Sequence, residues 1–230
     1  KICLDYLIRG GRHYMISGEY KDYLTQNTYT SAIYPKDSDL RKNGNPVSKW
    51  PTIKQSLRGV QEEQSRLVLL LCAVLGYDDV DSFNDEKIAN VNSLLTEAWN
   101  FITSNILEAV DVDNRGYMLD LLGAKVRMQL VDKGYLCPVD NVIVDVTFCG
   151  YSPRINGYLG RSNFERFKVK KEFTYPYFPF KSTEQSDDEL IQWIADNFVR
   201  QKESGVFSNI HERIYAQKPN FISAEHSAQQ

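Results

Sequence analysis

Leu67-Val-Leu-Leu-Leu-Cys-Ala-Val-Leu-Gly76 is the stretch whose reading decides the fold. It is apolar on nearly every side of a helical wheel, and a helix of that kind has to be buried. It is too short to span a bilayer, so it belongs at the centre of a water-soluble core. Upstream, Val60 joins Leu67, Leu70, Leu71 and Val74 at helical spacing. That pattern predicts one helix from Pro51 or Thr52 to Leu75, closed by Gly76 at the C′ position.

Downstream, Ile88, Val91, Leu95, Trp99, Ile102 and Ile106 form one stripe at three- and four-residue steps. Asp85 and Glu86 suit the positive end of a helix dipole. A second helix is expected from about Asn84 to Val110, packed antiparallel on the first. Residues 51–115 therefore read as a helical hairpin, preceded by an irregular, tyrosine-rich segment at 1–50. Within that segment Tyr14-Met15-Ile16 suggests a short strand, and Asp37 to Pro46 a loop.

The pattern changes at Asn114-Arg-Gly116. Lys125 to Val131 alternates, and Asn141 to Phe148 is dense in β-branched residues, with a turn at Pro138 and Asp140. Residues 116–180 are expected to form a small antiparallel sheet. In 181–230, Ser186-Asp-Asp-Glu189 is a capping box before Leu190, Ile191, Ile194 and Phe198, and Gly205 ends that helix. The fold class is α+β: a helical hairpin, a small antiparallel sheet and a capped C-terminal helix.

Composition is that of an ordinary globular chain of 230 residues, with 42% hydrophobic and 25% charged residues. A net charge of −3 gives no global attraction to nucleic acid or anionic membrane, so any such binding needs a local patch. Four cysteines make no disulfide framework in a chain this long and favour a reducing, cytoplasmic setting. Cys137 and Cys149 read as small buried thiols near strand ends, without the second ligand pair that a zinc site needs. No metal site is expected. His13, His211 and His226 are far apart, and only His226, beside Glu225 after an apolar strand, is kept, as a residue that helps to shape a loop at an interface.

The motifs for phosphate loops, dinucleotide binding, the nucleophile elbow and zinc peptidases do not occur. No catalytic residue is assigned. A nuclease alternative places Asp5 on one strand and Glu19-Tyr-Lys21 on the next, where carboxylates would hold Mg²⁺ and the lysine would orient water.

The strongest binding signal is local charge. Arg154, Arg161, Arg166, Lys168, Lys170 and Lys171 are opposed only by Glu165, and Tyr151, Tyr158, Phe164 and Phe167 interleave. Basic groups track a phosphate backbone while aromatic faces stack on bases. Arg154, Arg161, Arg166, Lys168 and Lys170 are the expected phosphate contacts, with Tyr158 and Phe164 the stacking residues. The competing reading is a scaffold module that docks a partner protein. It predicts that these basic residues scatter, or pair with Asp187, Asp188 and Glu189 of the next helix.

Three stretches carry a family resemblance: Gly134 to Val139 with Asp145-Val-Thr-Phe148 and Gly150-Tyr-Ser-Pro153; Phe173-Thr-Tyr-Pro-Tyr-Phe-Pro-Phe180; and Phe221-Ile-Ser-Ala-Glu-His-Ser-Ala-Gln229. From about Tyr117 to Gln230 the chain resembles a region of large bacterial superfamily-2 helicases of the DEAD/DEAH class, related to Lhr-like and defence-island helicases. The resemblance implies a fragment between two motor lobes, running into the second, with Glu225 and His226 at the junction. It implies DNA and the motor lobes of the same polypeptide as partners. ATP and Mg²⁺ would be bound by the parent protein, with no cofactor in this chain.

Overall fold

A computed structural model describes residues 1–9, 12–16, 30–126, 133–140, 142–169, 172–174 and 186–204. In chain order its elements are α1 (Ile2–Arg9), β1 (Tyr14–Met15), β2 (Arg41–Lys42), β3 (Asn45–Pro46), β4 (Gln55–Ser56), β5 (Gly59–Val60), α2 (Arg66–Leu75), α3 (Asp85–Asn105), β6 (Glu108–Asp111), β7 (Gly116–Asp120), β8 (Lys133–Leu136), β9 (Ile143–Val144), β10 (Glu172–Thr174) and α4 (Asp187–Ser204). The fold is α+β.

The apolar segment forms α2, and Leu67, Val68, Leu69, Leu70, Cys72 and Ala73 are all buried. Its ends are set locally. Ser65 Oγ accepts from the Val68 amide, Gly76 takes a left-handed φ of 69°, and the Tyr77 amide closes back on the Cys72 carbonyl at 2.7 Å. The helix does not begin at residue 51. Residues 55–60 fold back as the β4–β5 hairpin, with Gly59 at φ 115°, a value that excludes helix. The buried Gln64 side chain holds the base of this hairpin. Its Oε1 accepts from Lys54 N at 2.8 Å, and its Nε2 donates to the Lys54 and Gln61 carbonyls at 3.0 and 2.6 Å. Val60, which carried the periodicity upstream, is a strand residue.

Asn84 caps α3 by accepting from the Lys87 amide, and Val91, Leu95 and Ile102 of the expected stripe are buried. The helix stops at Asn105, and Glu108–Asp111 is strand rather than helix. α2 packs on α1 and α3. The N-terminal segment is more ordered than its composition suggests: α1 contributes Leu7 to the core, and residues 41–46 form a hairpin turning at Asn43 and Gly44, both at positive φ. Trp50 links these parts. Its indole N–H donates to the Leu95 carbonyl at 2.7 Å, and its ring meets Tyr6 and Trp99 at centroid distances of 6.1 and 5.4 Å. Such aromatic pairs add to the burial of area alone.

Two three-stranded sheets complete the core region. One, ordered β10-β8-β9, is antiparallel and lies within 116–180 as expected; the other, ordered β1-β7-β6, adds a parallel pairing of β1, from the N-terminal segment, with β7. The strand expected over Asn141–Phe148 is confined to Ile143–Val144, with Phe148 only in an isolated bridge to Tyr151. The alternating stretch after Lys125 falls largely outside the described residues. The capping box at Ser186 is present: Ser186 Oγ accepts from the Glu189 amide, and the Ser186 amide donates to the Glu189 carboxylate. Gly205 lies outside the described residues. Among the described residues, no helix is long and apolar enough to cross a membrane.

Candidate functional site

The basic-aromatic stretch is a strap tied tightly to the body. Cys149 and Gly150 turn it at φ 49° and 83°, and Tyr151 pairs with Phe148 on one side and Lys168 on the other. Ile155, Leu159, Phe164 and Phe167 point into the core. Backbone bonds from Leu159 to Glu62 (2.9 Å) and from Gly160 to Asp78 (2.7 Å) fasten its outer part. At Gly157, φ is 124° and a Cβ would lie 2.3 Å from Ser162 Oγ, so the strap closes there around a residue without a side chain.

That geometry distributes the expected contact residues unevenly. Arg154 donates through Nε to Asp140, Arg161 pairs with Glu62 at 2.8 Å, and Lys168 pairs with Glu165 at 3.5 Å. Burial pushes the Asp140 carboxyl up, but hydrogen bonds from Cys137 and Arg154 outweigh it and hold the group below the usual carboxylate range. Tyr151 also donates to Glu165; that bond and burial push its phenol up to about 12, and the same bond holds Glu165 low. Arg166 lies over the Phe167 ring, 4.9 Å from its centroid, and has no carboxylate partner among the described residues.

Of the two stacking candidates, Tyr158 is 52% exposed, whereas Phe164 is 4% exposed and belongs to the core. A ring buried against Leu159 and Phe167 has no face for a base, which corrects its expected role. Cys137 is buried as expected, but Cys149 is exposed on its turn. Lys170, Lys171, Glu225 and His226 lie outside the described residues. So do Glu19 and Lys21 of the nuclease alternative; Asp5 sits on α1, not on a strand, and pairs with Lys1. Among the described residues no group of three or more histidine, cysteine or acidic side chains is placed to hold a metal ion. His13 is buried, with Nδ1 donating to the Ser31 carbonyl at 2.7 Å, and burial pushes its pKa down.

Two further places carry site-like geometry. An open cleft of about 620 Å³ lies beside Tyr34, Lys42 and Asp111. The Tyr34 hydroxyl donates to Asp111 at 2.9 Å, Lys42 Nζ approaches the same carboxylate at 3.4 Å, and Asn114 donates to its other oxygen. These bonds, with Asn114 foremost, hold Asp111 below the usual range. A carboxylate so fully engaged is a tie between segments rather than an available base.

The second place is an apolar groove of about 210 Å³ between α1, α2 and α3. Ile2 and Cys3 form one wall, Leu67, Leu70 and Leu71 the floor, and Leu94 and Ala98 the other wall, with Phe148 across the end. Leu94 is 39% and Phe148 37% exposed, and Phe101 extends the apolar surface along α3. The lining is almost wholly apolar. The helical periodicity of the sequence predicted the buried floor, but Phe148 joins the groove only through the turn at Cys149-Gly150, whose signal is weak beside Asn-Gly or Asp-Gly.

The sequence matches no protein-family model, no curated protein and no solved structure.

Proposed function

We propose that the chain is an accessory docking module of an ATP-dependent helicase, with no ATP site of its own, that holds a polypeptide segment against the motor it serves. The helicase context rests on the resemblance of residues from Tyr117 onward. The docking role rests on one observation: among the described residues an open, apolar groove lies between α1, α2 and α3, while Arg154, Arg161 and Lys168 are already committed to carboxylates. A side chain buried in such a groove contributes about 1.5–3 kcal/mol, roughly ten- to hundredfold in affinity. Surface ion pairs contribute less, but a paired arginine must give up its carboxylate before it meets a phosphate.

Contact with a nucleic-acid strand is a second reading, favoured by the exposure of Tyr158 and by Arg166, which lacks a carboxylate partner among the described residues. Fluorescence anisotropy with single-stranded and duplex DNA over a salt series separates the two. The docking reading expects no binding tighter than the roughly 10⁻⁴ M of weak non-specific contact at physiological salt. Micromolar binding that falls steeply with salt and is lost in Arg166→Ala would overturn it in favour of the strand-holding role.

A further inference from the structure

The groove and the C-terminal helix are complementary surfaces of one chain, and in the structure both are open. α4 has Ile191 62%, Ile194 52% and Val199 51% exposed. Leu190, Ile191 and Ile194 recur at the three- and four-residue steps of a single helix face. A capping box fixes the start of the helix, so this face is presented by a formed helix. Opposite, Ile2 and Cys3 of α1 and Leu94 and Ala98 of α3 flank a furrow floored by Leu67, Leu70 and Leu71 of α2. Another helix seats in such a furrow by placing residues at i, i+3 and i+7 along it.

Charge gives the contact a direction. Asp187, Asp188 and Glu189 open α4. Arg66 opens α2 and lines a narrow cleft that shares Ile2, Leu67 and Leu70 with the groove. It is exposed and has no carboxylate partner among the described residues. The acidic turn of α4 placed over Arg66 runs the apolar face along the furrow.

Deepening the docking reading, on which it rests, we propose that the groove is filled by α4 of a second copy of this chain, in a reciprocal exchange that forms a homodimer. Within one molecule both surfaces remain exposed, and a contact between identical partners repeats twice about a two-fold axis and closes. The eleven residues from 175 to 185 separate Thr174 from Ser186. Covalent geometry lets that length span at most about 40 Å.

The test is light scattering on the eluting protein from low to high micromolar concentration. A dimer of twice the 26.5 kDa chain mass is expected. Ile194→Asp and Leu94→Asp, each at an exposed position and checked for an unchanged circular dichroism spectrum, should each give monomers. An equimolar mixture of the two, one carrying an intact groove and the other an intact helix, should recover a weaker heterodimer. Arg66→Glu should weaken the dimer about threefold to fivefold, with Asp188→Arg restoring it.

A monomer at every concentration overturns the proposal, and the apolar dye anilinonaphthalene sulfonate then separates the causes. Dye bound by the wild type and excluded by Ala98→Trp leaves the docking reading standing with another occupant. A monomer that binds no dye removes both.

Discussion

Replacing Gln64 by glutamate changes one atom pair and should cost as much as a large core deletion. The amide of Gln64 sits in a place that demands one acceptor and two donors: it accepts from Lys54 N and donates to the carbonyls of Lys54 and Gln61. A carboxylate of the same shape keeps the acceptor and loses both donors. It also sets a charged oxygen against two carbonyl oxygens at the 3.0 and 2.6 Å separations the amide now occupies. Two hydrogen bonds at about 1 kcal/mol each, plus about 1 kcal/mol for repulsion and partial desolvation, give about 3 kcal/mol. For a chain of this size that lowers the melting temperature by roughly 6–12 °C. The sign with pH is determined. In the folded state the new carboxyl is raised above its unfolded value near 4.3, so the penalty is full above the folded pKa and shrinks as pH falls through it. A protonated carboxyl donates again to one of the two carbonyls, leaving about 1 kcal/mol. Urea unfolding of both proteins at pH 7 and pH 5 measures the difference directly, and amide exchange over residues 54–61 reports whether the β4–β5 hairpin loosens. A variant within 0.5 kcal/mol of wild type at pH 7, or a difference that ignores pH, would refute the account of the hairpin base.

Three other outcomes follow from the same geometry. Because burial lowers the His13 pKa, the fold favours the neutral ring; stability should be full above the unfolded value near 6.5 and fall as pH drops below it, by at most about 1.4 kcal/mol per unit, and His13→Gln should flatten that slope in urea titrations. Gly157→Ala should cost about 2–3 kcal/mol in thermal unfolding, since it combines a φ of 124° with a Cβ 2.3 Å from Ser162 Oγ and 2.8 Å from Ser162 Cβ, and Ser162→Ala should relieve only the Oγ part of the clash and none of the backbone strain. Ser186→Ala should remove about 1 kcal/mol from α4 alone, read as faster amide exchange across its first two turns with the global unfolding midpoint unchanged.

The parts of this fold legible in the sequence are those whose causes are local. Gly76 as a helix end, the acidic start of α3, the buried face through Val91, Leu95 and Ile102, and the Ser186 capping box each depend on residues within a few positions of one another. Upstream of α2 the same method failed, because one apolar residue, Val60, extended a periodicity that Gly59 and the side chain of Gln64 break. The candidate site was legible as a charge cluster but not as an arrangement. Nothing near Arg154 or Arg161 in sequence announces Asp140 or Glu62 as partners, and the aromatic spacing does not separate the exposed Tyr158 from the buried Phe164. The tie between Tyr34 and Asp111 spans 77 positions and has no sequence signal at all.

The parallel pairing of Tyr14–Met15 with Leu119–Asp120 sets a timetable for the chain as it is made. Closing a loop of that length costs about 4 kcal/mol in chain entropy beyond a constant, so the pairing follows the formation of α2 and α3 rather than leading it. During synthesis the interval between residue 14 and its partner is roughly 5–20 s at ordinary elongation rates. Throughout that interval the apolar side chains of the first helix have no completed sheet to lie on.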